Sequence, residues 1–220
     1  MKKVLFACLT ASLFFGESRA QQVRAVQEPL LSRANFKILG FEIEKSSLKE
    51  IRSKLGNARR FETSHNEEVE ESICYVSAID NLTVIEFRTG LPGRWKDLIG
   101  FRVSTLEYEP LRSKCSKSPV LDSIITESGL KLWMAKADII ARFGKPTSSS
   151  EEELIYRSEE TRKPTPQELK AYKKAAPSME PENIEIPVTT LMEFHFVSSK
   201  LVSFSIYRTE TTEPERLVRK

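Results

Sequence analysis

A chain of 220 residues, 40% hydrophobic and 30% charged, has the composition of a folded globular protein, long enough for one core or two small ones. Its formal net charge of +3 is too small for a nucleic-acid footprint. No stretch approaches the ~18 uninterrupted apolar residues of a membrane helix, so no stable membrane insertion is expected.

The amino terminus reads as a secretory signal over residues 1–20. Lys2 and Lys3 precede an apolar run from Val4 to Phe15, and Ser18-Arg19-Ala20 offers a small-residue site for cleavage near Ala20. A lipoprotein signal ending at Cys8 leaves only about four apolar residues ahead of the cysteine, short of the usual run. The expected location is therefore periplasmic or secreted. Removing Lys2, Lys3, Arg19 and Glu17 with the signal leaves a net charge of about +1.

The mature chain says nearly the same thing twice. Ser47-Leu48-Lys49-Glu50-Ile51-Arg52-Ser53-Lys54-Leu55-Gly56 aligns without a gap on Ala135-Lys136-Ala137-Asp138-Ile139-Ile140-Ala141-Arg142-Phe143-Gly144. Apolar residues at helical spacing (Ile51 and Leu55, then Ile139 and Phe143) predict two short amphipathic helices, each stopped by glycine. Ser47 with Glu50 forms a capping-box pattern, whereas Ala135 supplies no side-chain acceptor. The charged run of Arg52, Lys54, Arg59 and Arg60 followed by Glu67, Glu68, Glu70 and Glu71 reads as a solvated helix end and loop.

Strands are predicted at Ser72–Val76, Thr83–Arg88 and Phe101–Ser104, and again at Glu153–Arg157, Thr190–His195 and Val202–Tyr207. Thr83-Val84-Ile85-Glu86-Phe87-Arg88 echoes Thr190-Leu191-Met192-Glu193-Phe194-His195 with the same alternation. The predicted fold is α+β, two tandem units of a helix plus an antiparallel sheet with the helices on one sheet face. The units span 21–109 and 121–210, joined by a proline-bracketed linker at 110–120 and followed by a polar tail at 211–220. Each unit offers only about three strands, so a sheet continuing across both is expected.

The second unit carries about 26 residues more than the first between its first two strands, an insert at 158–189. Thr165-Pro166-Gln167-Glu168 is a strong helix start, and Leu169 and Tyr172 share one face of the helix that follows.

A short helix ending in Phe143-Gly144-Lys145-Pro146, led by Gly129-Leu130-Lys131-Leu132 and followed by strands, resembles the repeat of the β-lactamase inhibitor protein-like fold, shared by the small outer-membrane assembly lipoprotein. The likeness covers most of the mature chain twice, and it implies a helical layer on an antiparallel sheet whose other face or loops bind protein. The chain departs from it in lacking a lipobox and in having no cysteine in the second unit.

Chemistry is sparse in the sequence. His65 lies in a polar stretch and His195 on an outward strand position, with no nucleophile elbow, phosphate-binding glycine loop or metal-ligand spacing beside either. No catalytic residue, metal ligand or cofactor is assigned. Cys74 and Cys115 form an even pair and are expected to bridge in an oxidising compartment. Candidate partner-binding residues are Trp95, between Arg94 and Lys96, Leu169 and Tyr172 on the insert helix, and His195 and Tyr207 on the outward sheet face. With them stand Glu86, Arg88, Arg102 and Ser104 of the first unit, and Glu193, Ser203 and Ser205 of the second. The expected function is that of an exported, non-enzymatic protein-binding module, an envelope accessory or an enzyme-inhibitor-like protein. The alternatives are a hydrolase with an unrecognised site and a small-ligand carrier with a pocket between the units.

Overall fold

Alternating apolar positions dictate long strands in this chain. The computed structural model describes residues 32–65, 68–80, 82–90, 98–108, 113–118, 121, 124–175, 184–210 and 218–219. Residues 1–20, expected to be a signal segment, and Trp95 lie outside the described residues. Lys37–Ile38 (β1) pairs with Phe41–Glu42 (β2) ahead of a helix at Leu48–Leu55 (α1). Arg60–His65 (β3), Glu68–Ser77 (β4), Thr83–Thr89 (β5), Leu98–Thr105 (β6) and Ser116–Ser118 (β7) follow. The second part holds Lys136–Phe143 (α2), Ser148–Ser149 (β8), Glu153–Arg162 (β9), Pro166–Ala175 (α3), Ile184–Val197 (β10), Lys200–Glu210 (β11) and Val218–Arg219 (β12). One antiparallel path runs β3-β4-β5-β6-β11-β10-β9-β8, with β7 parallel on β4 and β12 antiparallel on β10.

This overturns the α+β expectation. Strands hold 50% of the described residues against 21% in helices, so the fold is mostly β, a single large sheet rather than two helix-plus-sheet units. The physical reason is size: each eight-residue helix is only ~12 Å long, too short to form a layer over such a sheet. α1 gives the core Leu48, Ile51 and Leu55, and α2 fully buries Ile139 alone; strand and loop residues supply the rest.

Where the helices start and stop follows local chemistry. Ser47 Oγ accepts the Glu50 N–H at 3.2 Å, while at the second helix the only side-chain help is Asp138 accepting the Ala135 N–H at 3.3 Å. Gly56 (φ 102°) and Gly144 (φ 80°) end the two helices at backbone angles that side chains resist. Each stop is then fastened to a strand. The Tyr75 hydroxyl donates to the Gly56 carbonyl at 2.7 Å and the Tyr156 hydroxyl to the Gly144 carbonyl at 3.0 Å.

Burial pushes both tyrosines from 10.0 up to about 12. A folded pKa above the unfolded one favours the folded state while the group stays protonated, so this stability is whole below pH 10 and is lost as pH rises through about 12. Urea midpoints are expected to fall across that window. Tyr156→Phe should cost about 1 kcal/mol at neutral pH and flatten the alkaline fall; an unchanged alkaline slope contradicts this assignment.

The strand echoes become symmetry in the sheet. At the central seam Arg102 of β6 stands opposite Ser205 of β11, flanked by Phe101↔Ile206 and Val103↔Phe204, then Gly100↔Tyr207 and Ser104↔Ser203. Aligning Phe101 with Phe204, this register reads the same from either side, so β4-β5-β6 and β9-β10-β11 are related by a two-fold through the Arg102–Ser205 pair. One face of the sheet carries the main core, including Ile73, Phe87, Phe101, Ile206, Met192 and Phe194. Fully buried Tyr75, Phe87, Phe101, Phe194 and Phe204 anchor it.

Two local readings are corrected. Arg60–His65, expected as helix end and loop, is the edge strand β3, paired to β4 from Arg60↔Ile73 to His65↔Glu68. Its polar composition hid a strand that needs only one apolar neighbour, as edge strands do. The 158–189 insert begins and ends in strand: β9 continues to Arg162 and β10 begins at Ile184, with the predicted helix, α3, between them. The α3 start does carry a reciprocal capping box, Thr165 Oγ1 accepting the Glu168 N–H and Glu168 Oε2 accepting the Thr165 N–H. Arg162 grips Glu168 and Glu210 together, and its hydrogen bond holds the Glu168 carboxyl down at about 2.

Candidate functional site

Strand alternation sends a second set of side chains to the opposite, outer face of the sheet. Its central row, read across paired strands, is Cys74, Glu86, Arg102, Ser205, Glu193 and Ile155. Glu86 is buried and accepts from Arg88 at 2.9 Å, and Ser205 donates to Glu193 at 2.8 Å. Each carboxylate of the row is thus engaged beside Arg102. Among the described residues Arg102 itself has no ion-pair partner.

Tyr207 lies over the seam. A Cβ at Gly100 would come within 2.2 Å of the Tyr207 ring and 2.6 Å of the Ile206 carbonyl oxygen, so glycine is required for the ring to lie on β6. The Arg88 guanidinium sits 5.3 Å from the ring centroid, closing a stack that fills the gap in the strand. Burial pushes the Tyr207 hydroxyl up to about 12, against the pull of Arg88 and Arg102. Burial is the largest influence on Arg88 and works against its charge, but the Glu86 hydrogen bond and the charges of Tyr207, Glu86 and Glu70 together outweigh it, and the guanidinium stands above its ordinary value.

Towards the β10–β11 turn the outer face opens into a groove of about 350 Å³. Arg102, Ser203, Ser205 and His195 form its polar side; Phe196, Val197 and Val202 form its apolar side; Tyr108 and Glu152 complete the lining. Tyr108 is 46% exposed and Val197 44% exposed. The His195 Nδ1 stands 3.6 Å from a Glu153 carboxylate oxygen, and among the described residues no hydrogen bond joins His195 to a serine hydroxyl. A cation, hydroxyls, an imidazole and exposed aromatic and aliphatic surface can together recognise a mixed polar and apolar partner.

The structure scatters the residues named from sequence. His195 lines the groove and Tyr207 lies on the same outer face at the seam. Leu169 does not join them: it packs on Ile184 and Ile186 in a small separate cluster. Trp95 and the side chain of Tyr172 lie outside the described residues. Cys74 and Cys115 form a disulfide with a Cα–Cα distance of 4.8 Å. Tyr108 and Gly100 were missed. The only sequence signals were an aromatic just past a strand end and a glycine inside a strand, which marks a close approach.

Among the described residues no group of three or more His, Cys, Asp or Glu side chains could hold a metal ion. Among the same residues no helix is long and apolar enough to cross a membrane, which leaves β-barrels aside. No protein-family model, curated protein or solved structure matches the chain.

Proposed function

We propose that this chain is an exported protein-binding module whose interface is the outer face of the sheet, centred on the groove beside the β6–β11 seam. One observation carries the reading: Arg102, without an ion-pair partner among the described residues, shares a groove with exposed Tyr108, His195 and Val197. Arginine and tyrosine are the residue types that dominate interface energetics when a partner desolvates them. Export rests on the signal pattern at residues 1–20, and the Cys74–Cys115 disulfide agrees with an oxidising compartment. A small-ligand carrier is the second reading, supported by the groove's place beside the junction of the two strand triplets.

The test is affinity capture from the producing cell's envelope and culture medium with the mature chain and with an Arg102→Ala, Tyr108→Ala double variant. Two such hot-spot residues should each contribute about 2 kcal/mol or more. Recovery of the partner should therefore drop at least ~30-fold in the variant. Capture of the same proteins in equal yield by both baits contradicts the reading, and so does a wild-type bait that enriches nothing.

A further inference from the structure

The groove beside the β6–β11 seam has two poles. Arg102 stands on β6 at one end, and Glu152, whose backbone carbonyl accepts the Phe196 N–H at 2.8 Å, stands just ahead of β9 at the other. β11 and β10 lie between them, so the poles are three inter-strand steps apart, about 14 Å. Neither charge is answered within the protein: among the described residues Arg102 and Glu152 have no ion-pair partner and no side-chain hydrogen bond. The two carboxylates in the row of Arg102 are held elsewhere, Glu86 by Arg88 at 2.9 Å and Glu193 by Ser205 at 2.8 Å.

The Arg102 end therefore offers donors without acceptors. A guanidinium presents five N–H groups in a fork matched to a carboxylate. Ser203 on β11 adds a hydroxyl that has no hydrogen-bond partner among the described residues. Phe196, Val197 and Val202 give the same groove an apolar wall. A carboxylate on an internal side chain satisfies the fork but leaves that wall to another residue. A chain-terminal carboxylate leaves from the same carbon as the last side chain, so one residue meets both. The ~14 Å to Glu152 is the reach of about four extended residues.

We infer that the groove takes the carboxyl terminus of a partner protein, a chain that ends in a leucine-type residue with its carboxylate on Arg102 and carries a basic residue three positions earlier at Glu152. Opposite charges at the two poles fix the direction in which that chain lies. The inference rests on the protein-binding reading above and names the part of the partner that is bound.

The probe is the peptide acetyl-Lys-Ala-Ala-Leu with a free carboxylate, titrated into the ¹⁵N-labelled mature protein. Saturable amide shifts are expected at Arg102, Ser203 and Phe196. The carboxamide form should bind at least ~10-fold more weakly, the loss of a hydrogen-bonded charge contact. Arg102→Ala should abolish the difference between the two forms, and Arg102→Gln repeats the test should alanine disturb folding. Glu152→Gln should weaken the lysine peptide and leave acetyl-Ala-Ala-Ala-Leu unchanged. Four results each overturn the inference: equal binding of acid and carboxamide, a carboxamide ending in glutamate that binds as well as the free acid, N-acetyl-leucine that binds as tightly as the tetrapeptide, or no saturable shift at millimolar peptide. Partner capture that depends on Arg102 and Tyr108 stands or falls apart from these results, so the loss of one reading is told from the loss of the other.

Discussion

Phe194→Ala is expected to destabilise the protein by about 3–5 kcal/mol, the range for removing a large aromatic from a packed core. Phe194 is fully buried and lies in a three-ring contact, 5.7 Å from both Phe143 and Tyr156, edge-on to the tyrosine. Phe143 is the last residue of α2 and Tyr156 is the side chain that fastens the helix stop to β9. Removing the ring therefore opens a cavity at the point where strand, helix and cap meet, and little nearby can collapse into it. For a chain of this size the thermal midpoint should drop on the order of 10 °C. Urea denaturation checks this directly: a loss below about 1 kcal/mol shows that the site relaxes and that the aromatic contact is not a keystone.

Loss of the disulfide comes second. Cys74 and Cys115 are 41 residues apart, and closing a loop of that length contributes about 4 kcal/mol in the chain-entropy description. A further effect adds to it, because Cys115 packs with Phe61 and Leu106 on the cluster of Cys74, Val76 and Val84 on the outer face. Cys74→Ala, Cys115→Ala should lower the urea midpoint by an amount equivalent to about 4 kcal/mol and increase binding of a hydrophobic dye. An oxidised and a reduced protein that unfold at the same urea concentration would show that the bridge contributes nothing to the native state.

Local chemistry was legible in the sequence, and long-range pairing much less so. Ser47, Gly56, Gly144 and the Thr165–Glu168 capping box are signals contained within a few residues, and each acts in the structure as its chemistry dictates. The polar alternation of Glu86, Arg88, Arg102, Glu193 and Ser205 likewise placed them on one face. The fold class was misjudged because two short, well-marked helices drew more weight than strands whose true lengths depend on partners. β10 runs for 14 residues, beginning at Ile184 and passing through Pro187, since β9 and β11 offer it continuous edges. β3 was overlooked for a related reason, its pairing to β4 being stronger than its own propensity. The groove needed even more distant information. Arg102, Tyr108 and His195 meet only because β6 pairs with β11, and no local pattern states that pairing.

That seam is the central structural claim, because the outer-face site exists only if the two triplets form one sheet. Native-state hydrogen exchange tests it most directly. The most protected amides of β5, such as Ile85 and Phe87, and of β10, such as Met192 and Phe194, are expected to open with the same free energy and respond identically to urea. Two sets of amides whose opening energies differ by more than about 1 kcal/mol and diverge with urea would contradict it, and would divide the sheet between β6 and β11.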